Sequence, residues 1–171
     1  MFAAFNLFWT AVPLLLATRF GLGQPGIALF ALAGAGGALS APIAGRLGDR
    51  GFVRSGTGVA LACCSIAFGI AGWAVAAQAL ITLAAAAVLL DGAVQMNQVL
   101  GQRVLYSIAP EARGRINAVY MTMVFLAGAV GSMLATFSFD RGGWTATAWI
   151  GAGIGAAAFL LFLTEPRAPE R

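Results

Sequence analysis

Histidine and lysine are absent from this 171-residue chain, and charged side chains make up only 9% of it. Without histidine, and with six scattered carboxylates, the chain lacks the residues of a haem site, a zinc site or a Ser-His-Asp triad. The two cysteines, Cys63 and Cys64, are adjacent, which suits neither a disulfide nor a complete metal site. We therefore expect no cofactor, no metal centre and no enzyme activity, and we interpret both cysteines as small packing residues.

Apolar residues dominate what is present, at 60% of the chain. They form six runs of roughly 17–24 residues, and about 20 residues are needed for a helix to cross the bilayer core. The sequence predicts an all-α fold, an integral membrane bundle of six transmembrane helices within residues 1–164. The predicted spans are 2–18, 26–45, 56–76, 79–101, 116–139 and 145–163, followed by a cytoplasmic tail at 165–171. Three spans followed by three more can form an inverted pair of three-helix units.

The arginines indicate how these spans are oriented. Because basic residues accumulate at the cytoplasmic ends of spans, we expect both termini in the cytoplasm of a bacterial-type inner (plasma) membrane. Only Arg19 and Arg141 fall on the outer side. Trp73, Trp144 and Trp149 lie at or near the outer ends of the predicted spans, where an aromatic belt is expected. The high pI does not indicate nucleic acid, since the basic residues are dispersed at span ends. Those assigned to the cytoplasmic side are Arg46, Arg50, Arg54, Arg103, Arg113, Arg115, Arg167 and Arg171.

The fourth predicted span carries a polar stripe. Asp91, Gln95, Gln98 and Gln102 are spaced 4, 3 and 4 residues apart, so they fall within about 60° of one helix face. A lone carboxylate facing lipid would cost several kcal/mol, so Asp91 must face an aqueous cavity, find a partner or be protonated. We interpret Asp91, Gln95 and Gln98 as lining a transport pathway, with Asp91 able to bind a proton. The alternative is that Asp91 hydrogen-bonds a neighbouring helix and only holds the bundle together.

A second polar face lies on the first predicted span. Asn6, Trp9 and Thr10 share it with Pro13, which would allow the helix to bend. An amide, an indole and a hydroxyl on one face could line a cavity for a polar or amphipathic solute. Trp9 could equally be a packing residue.

Small residues recur at four-residue spacing on two spans. In lipid such rows let helix backbones approach closely, so they predict helix–helix seams. The second span carries Ala33, Gly37, Ala41 and Gly45, and the fifth carries Ala127, Gly131 and Ala135 beside Gly128 and Ser132.

The loop after the second span carries a recognisable motif. Residues 45–54 read Gly-Arg-Leu-Gly-Asp-Arg-Gly-Phe-Val-Arg. This segment resembles the Gly-x-Leu-x-Asp-Arg-x-Gly-Arg-Arg loop of the major facilitator superfamily. Phe52 stands where the family has glycine, and Val53 stands where it has a base. Segments 109–115 and 139–144 resemble later loops of the C-terminal half of that family. The matching positions of the motif are Gly45, Leu47, Asp49, Arg50 and Arg54.

The resemblance implies a C-terminal six-helix half of a drug/proton antiporter-like exporter. It implies a secondary transporter that couples efflux of a small-molecule substrate to protons. The expected partner is the N-terminal half of the same transporter or a second copy. In the family the loop carboxylate latches the cytoplasmic side, and the candidate partners of Asp49 are Arg50, Arg103 and Arg113. The alternative is a non-transporting six-span scaffold or assembly protein, although a scaffold gains little from a carboxylate inside the membrane.

Overall fold

A computed structural model describes residues 1–108 and 110–165, and its secondary structure within these ranges is entirely helical. The helices are α1 (Phe2–Arg19), α2 (Gln24–Gly34), α3 (Ser40–Asp49), α4 (Val53–Ala76), α5 (Leu80–Ile108) and α6 (Arg113–Thr164), with short 3-10 segments at Ala35–Leu39 and Pro110–Ala112. Within the described residues, five helices are long and apolar enough to cross a membrane: Phe2–Arg19, Gln24–Asp49, Val53–Ala76, Leu80–Ser107 and Arg113–Thr164. The predicted all-α membrane bundle is confirmed at this level, and the tail beyond residue 165 lies outside the described residues.

The second membrane-capable helix, Gln24–Asp49, is not uniform. It consists of α2 and α3 joined end to end through the tighter 3-10 segment Ala35–Leu39. Three glycines occur in the four residues 34–37, and glycine is among the weakest helix formers. A 3-10 stretch inside a helix often marks a hinge or a site of local strain.

The last helix, α6, has 52 residues and would be about 78 Å long if it were straight, more than twice the thickness of the bilayer core. Its helical geometry is broken at Gly143, where φ is 58° and ψ is −155°. The hydroxyls of Ser138 and Thr147 lie 2.9 Å apart, although nine residues of straight helix would separate them by about 13 Å. The chain therefore turns sharply at Gly143. The predicted spans 116–139 and 145–163 lie on either side of this turn.

The core lies where α1 packs against α6 and α4 packs against both α5 and α6. The Phe8 ring is at its centre, with ring centroids 6.0 Å from Phe68 and 5.5 Å from Trp144. Trp144 is buried, and its indole N–H donates to the carbonyl oxygen of Ala71 at 3.2 Å. The expectation that Trp144 lies in an aromatic belt is therefore wrong, because the turn at Gly143 directs its ring inward. Trp73 and Trp149 are exposed, at 62% and 75%.

The small-residue seams lie within the chain. A β-carbon on Gly131 would overlap the backbone of Ala3 in α1, and one on Gly128 would lie 2.8 Å from the side-chain nitrogen of Asn6. In the second helix, Gly37 contacts α5 in the same way. Gly45, the last member of that row, has open space around its β-carbon position, so the predicted seam does not extend to it.

Candidate functional site

Asp91 is half-buried near the middle of α5, and its carboxylate has a partner on another helix. The indole N–H of Trp9, on α1, donates to Oδ1 of Asp91 at 2.8 Å. The pair spans 82 residues of sequence. A hydrogen bond to a carboxylate is about twice as strong as one between neutral groups, so it offsets part of the cost of burying the charge.

The second membrane-capable helix packs directly onto this pair. A β-carbon on Gly34 would overlap the Trp9 ring, and one on Gly37 would overlap the β-carbon of Asp91 and lie 2.6 Å from the nitrogen of Gly92. The hydroxyl of Ser40 donates to the carbonyl oxygen of Gly92 at 2.9 Å. The 3-10 segment therefore passes Asp91 at a distance that only glycine permits. Trp9, Gly34, Gly37 and Asp91 are called the Asp91 cluster below.

Asn6 and Thr10 lie on α1 beside Trp9 but contact α6, where the β-carbon position of Gly128 is 2.8 Å from the side-chain nitrogen of Asn6. The amide of Asn6 donates to the carbonyl oxygen of Phe2 at 3.1 Å, and the hydroxyl of Thr10 donates to the hydroxyl of Ser132 on α6 at 3.0 Å. Of the three side chains predicted to share one face, Trp9 meets Asp91 and the other two lie at the seam between α1 and α6.

The glutamine stripe of α5 runs past a pocket of about 250 Å³. Gln98 lines this pocket together with Asn97 of α5 and Tyr120 of α6, while Gln95 and Gln102 are half-buried elsewhere on the helix. Sequence reasoning missed Asn97, although its position directly beside Gln98 was a usable signal. The remaining lining is apolar and comes from Met1, Phe2, Val94, Met123, Val124 and Ala127.

The loop motif begins in α3 and ends that helix with a glycine-dependent turn. The N–H of Gly51 donates to the carbonyl oxygen of Gly48 at 3.1 Å. The N–H of Phe52 donates to the carbonyl oxygen of Leu47 at 2.9 Å. This pair of bonds is the Schellman motif, in which glycine adopts the left-handed conformation. Gly51 does so, with φ of 80°. The turn is therefore made one position before the family's glycine, so Phe52 does not disrupt it.

Asp49 is tied to α5 at the same end of the molecule. Its Oδ1 lies 2.6 Å from Nη1 of Arg103, with exposures of 71% for Asp49 and 46% for Arg103. The Arg103 side chain lies against Gly48, whose β-carbon position is 2.9 Å from Cδ of Arg103. Arg113 instead donates from Nε to the carbonyl oxygen of Tyr106 at 3.4 Å.

The other motif residues have separate surroundings. Gly45 and Leu47 are half-buried in α3, and Arg50 is exposed at its C-terminal cap. Arg54, in the first turn of α4, donates to the carbonyl oxygen of Glu165 at 2.9 Å. Within residues 1–108 and 110–165, no three His, Cys, Asp or Glu side chains are grouped as metal ligands would be.

Comparisons with known proteins agree on one family. The model of the Major Facilitator Superfamily matches residues 1–171. The uncharacterized transporter YgaY of Escherichia coli is 35% identical over 162 residues, which are 94% of this chain and 41% of YgaY. The probable transporter SCO4007 of Streptomyces coelicolor is 35% identical over 170 residues, 92% of this chain and 38% of SCO4007.

The chain thus spans about two fifths of the length of these curated relatives. No solved structure matches it significantly. The family model nevertheless covers every residue, and the helices are of membrane-spanning length. The chain is a multi-pass membrane protein and belongs to the Major Facilitator Superfamily of transporters.

Proposed function

We propose that this chain forms one half of a secondary transporter that exports a small molecule in exchange for protons. The observation that carries the proposal is the Asp91 carboxylate, which lies inside the membrane-spanning part of α5 and is bonded to Trp9 of α1. Ionisable residues within membrane helices are rare and mark substrate paths or proton relays. A scaffold protein, the alternative function, gains little from such a group.

The Asp91 cluster suggests how proton binding would be linked to movement. As a carboxylate, Asp91 accepts a charge-assisted hydrogen bond from Trp9. Protonation removes the charge and weakens this bond, which loosens the contact between α1 and α5. The 3-10 segment packs on Asp91 through Gly37, and Gly34, the residue just before it, packs on the Trp9 ring, so this segment is the element whose position would respond.

We propose that the solute path runs along the stripe from Asp91 through Gln95 to Gln98 and its pocket. In this proposal Asn6 and Thr10 hold α1 against α6. They line the path only where α1 and α6 separate. The pocket is lined both by uncharged polar side chains, from Asn97, Gln98 and Tyr120, and by apolar side chains. Such a lining suits an amphipathic small molecule.

The proposed unit has six crossings, arranged as two inverted three-helix units equivalent to the C-terminal half of the transporter. The sharp turn at Gly143 supports counting α6 as two crossings. The 38–41% coverage of the relatives supports a partner, which is the N-terminal half of the same transporter or a second copy. The arginine distribution supports placement in a bacterial inner membrane with both termini in the cytoplasm.

The test uses the complete transporter reconstituted in liposomes, with an imposed pH gradient and a trapped pH-sensitive dye. Candidate amphipathic solutes are screened for those whose addition moves protons. The Asp91→Asn variant is uncharged at every pH, so we expect it to lose solute-dependent proton movement. It should retain solute exchange in the absence of a gradient. The control is Asp140→Asn, which removes an exposed carboxylate and should leave both activities unchanged.

Unimpaired proton movement in Asp91→Asn would exclude Asp91 as the coupling site. A variant that inserts but no longer folds would favour the purely structural role of the bond to Trp9. A complete assembly that moves no solute from the screen in either direction would favour the scaffold.

A further inference from the structure

A second concave surface, which contains no residue of the Asp91 cluster, lies between the start of α4 and the end of α6. It is a groove of about 440 Å³. Its wall is apolar except at one end, where Arg54 and Ser55 stand. The side chains of Val59 and Leu163 in the wall are each 57% exposed, so the groove opens on the outer surface of the bundle. The rest of the wall comes from Gly58, Ala62, Phe159 and Phe162.

Arg54 is held at the mouth of this groove by α6. Its Nη2 donates to the carbonyl oxygens of Glu165, at 2.9 Å, and of Phe162, at 3.5 Å. Its guanidinium lies 4.8 Å from the centre of the Phe162 ring. Among the described residues, these bonds all come from Nη2, which leaves Nε and Nη1 to donate to a ligand. A guanidinium presents its donors in a planar fork that matches the oxygens of a phosphate.

The charges around the mouth favour an anion. Arg50 is exposed at the C-terminal cap of α3, four residues before Arg54. The carboxylate of Asp49, next to Arg50 in the sequence, is paired with Arg103. Glu165 meets Arg54 through its backbone carbonyl, and within residues 1–108 and 110–165 no carboxylate forms an ion pair with Arg54.

We propose that the groove binds one anionic phospholipid, with the phosphate on Arg54 and an acyl chain along the apolar wall. From Arg54 to Ala62 the wall extends about 12 Å along α4, which is close to the hydrocarbon depth of one leaflet, about 15 Å. Because Arg54 lies in the first turn of α4 and Phe162 in the last turns of α6, the charge is placed at a membrane surface. The site is independent of the proposed transport function.

The experiment uses the full chain purified in mild detergent and titrated with palmitoyl-oleoyl phosphatidylglycerol, with bound lipid counted by native mass spectrometry. The phosphate-free probe is the diacylglycerol with the same two chains. Arg54→Gln should weaken phosphatidylglycerol binding about ten-fold, because it removes a charged group that donates hydrogen bonds to the phosphate. The matched control is Arg141→Gln, which removes an equal charge that also stacks on a phenylalanine, 3.7 Å from the Phe137 ring centre. It should bind as the unchanged chain does.

A second variant tests the groove without altering Arg54. Ala62→Phe fills the wall and should weaken binding by a similar factor, while Val130→Phe, on an exposed face of α6, should not. This variant keeps the test valid if Arg54→Gln does not fold.

Three results would overturn the proposal. The first is equal binding of phosphatidylglycerol by Arg54→Gln and Arg141→Gln, or by Ala62→Phe and Val130→Phe. The second is equal binding of phosphatidylglycerol and the diacylglycerol. The third is a disulfide-linked dimer formed in membranes by Ala62→Cys in a chain whose native cysteines are replaced, since a second copy would then cover the groove.

Discussion

Gly37 is the residue at which the second membrane-capable helix comes closest to Asp91. A β-carbon there would overlap the Asp91 side chain and would meet backbone atoms of α5, which cannot move aside cheaply. Gly36, its neighbour in the same 3-10 segment, would place a β-carbon 3.8 Å from Val88, an ordinary contact distance. The two positions thus separate the effect of close approach from the effect of losing a glycine.

We predict that Gly37→Ala lowers the free energy of unfolding by about 1–3 kcal/mol, the usual cost of inserting a methyl group into a filled site. Gly36→Ala should leave this free energy unchanged or raise it slightly, because alanine is the better helix former. Unfolding of the purified chain by a denaturing detergent, followed by circular dichroism, measures both. Equal effects of the two substitutions would show that the close contact at Gly37 does not support the fold.

At the scale of single residues, the sequence shows that a side chain needs a partner more clearly than it shows which residue that partner is. A carboxylate within an apolar run requires compensation, so Asp91 was identifiable as a residue that needs a partner. Its donor, Trp9, lies 82 residues away and depends on which helices pack together. The same limit explains Asn6 and Thr10, since one helix face meets more than one neighbour and spacing alone does not assign each residue to its neighbour.

Among the elements, α6 depends on a single backbone conformation. With φ of 58° and ψ of −155°, Gly143 occupies a region open essentially to glycine alone. We predict that Gly143→Ala lowers the free energy of unfolding by about 1–3 kcal/mol. Gly153→Ala, at a helical position with open space around it, should be neutral or stabilising by up to about 1 kcal/mol. The same detergent titration measures both variants, and a Gly143→Ala chain as stable as Gly153→Ala would contradict the required turn.

The ion pair of Asp49 and Arg103 joins α3 to α5 at the surface. Exposed pairs contribute only about 0–1 kcal/mol to stability, so Asp49→Asn should hardly change the unfolding of the chain. In the complete transporter we expect it to weaken closure of the cytoplasmic side. A cysteine at Gln98 should then react faster with an impermeant thiol reagent added on that side.

The double variant Asp49→Arg with Arg103→Asp reverses the pair and is the control for this prediction. It should restore the slow reaction rate of the cysteine at Gln98. If Asp49→Asn and the parent chain react equally fast, the pair does not act as a latch.

Hydropathy predicts where a helix ends only when the helix ends at the edge of the bilayer core. The predicted fourth span ends at 101, whereas α5 continues to Ile108. The added residues, 102–108, alternate between polar side chains such as Gln102 and Arg103 and apolar ones such as Val104 and Leu105, and hydropathy does not distinguish such a mixed helix from a loop. The 3-10 segment was also not predicted, because its geometry depends on how closely α5 approaches.

For the molecule as a whole, the chain closes its small-residue seams internally but leaves large apolar side chains outside. These side chains cover the second membrane-capable helix and the first part of α6 and include Leu29, Leu32, Leu39, Met123, Leu126 and Met133. In a membrane protein such faces meet lipid or a partner. The proposed solute path and the proposed latch both depend on which end of the bundle faces the cytoplasm.

Topology is tested with single cysteines in a chain whose Cys63 and Cys64 are replaced by alanine. Because basic residues at span ends remain in the cytoplasm, Arg50→Cys and Arg113→Cys should be shielded from an impermeant thiol reagent in intact cells. Arg141→Cys should react. Permeabilised cells provide the control, since all three cysteines should then react. Reaction of Arg50→Cys in intact cells would reverse the orientation, and it would place the pair of Asp49 and Arg103 on the outer side, where it could not latch the cytoplasmic entrance.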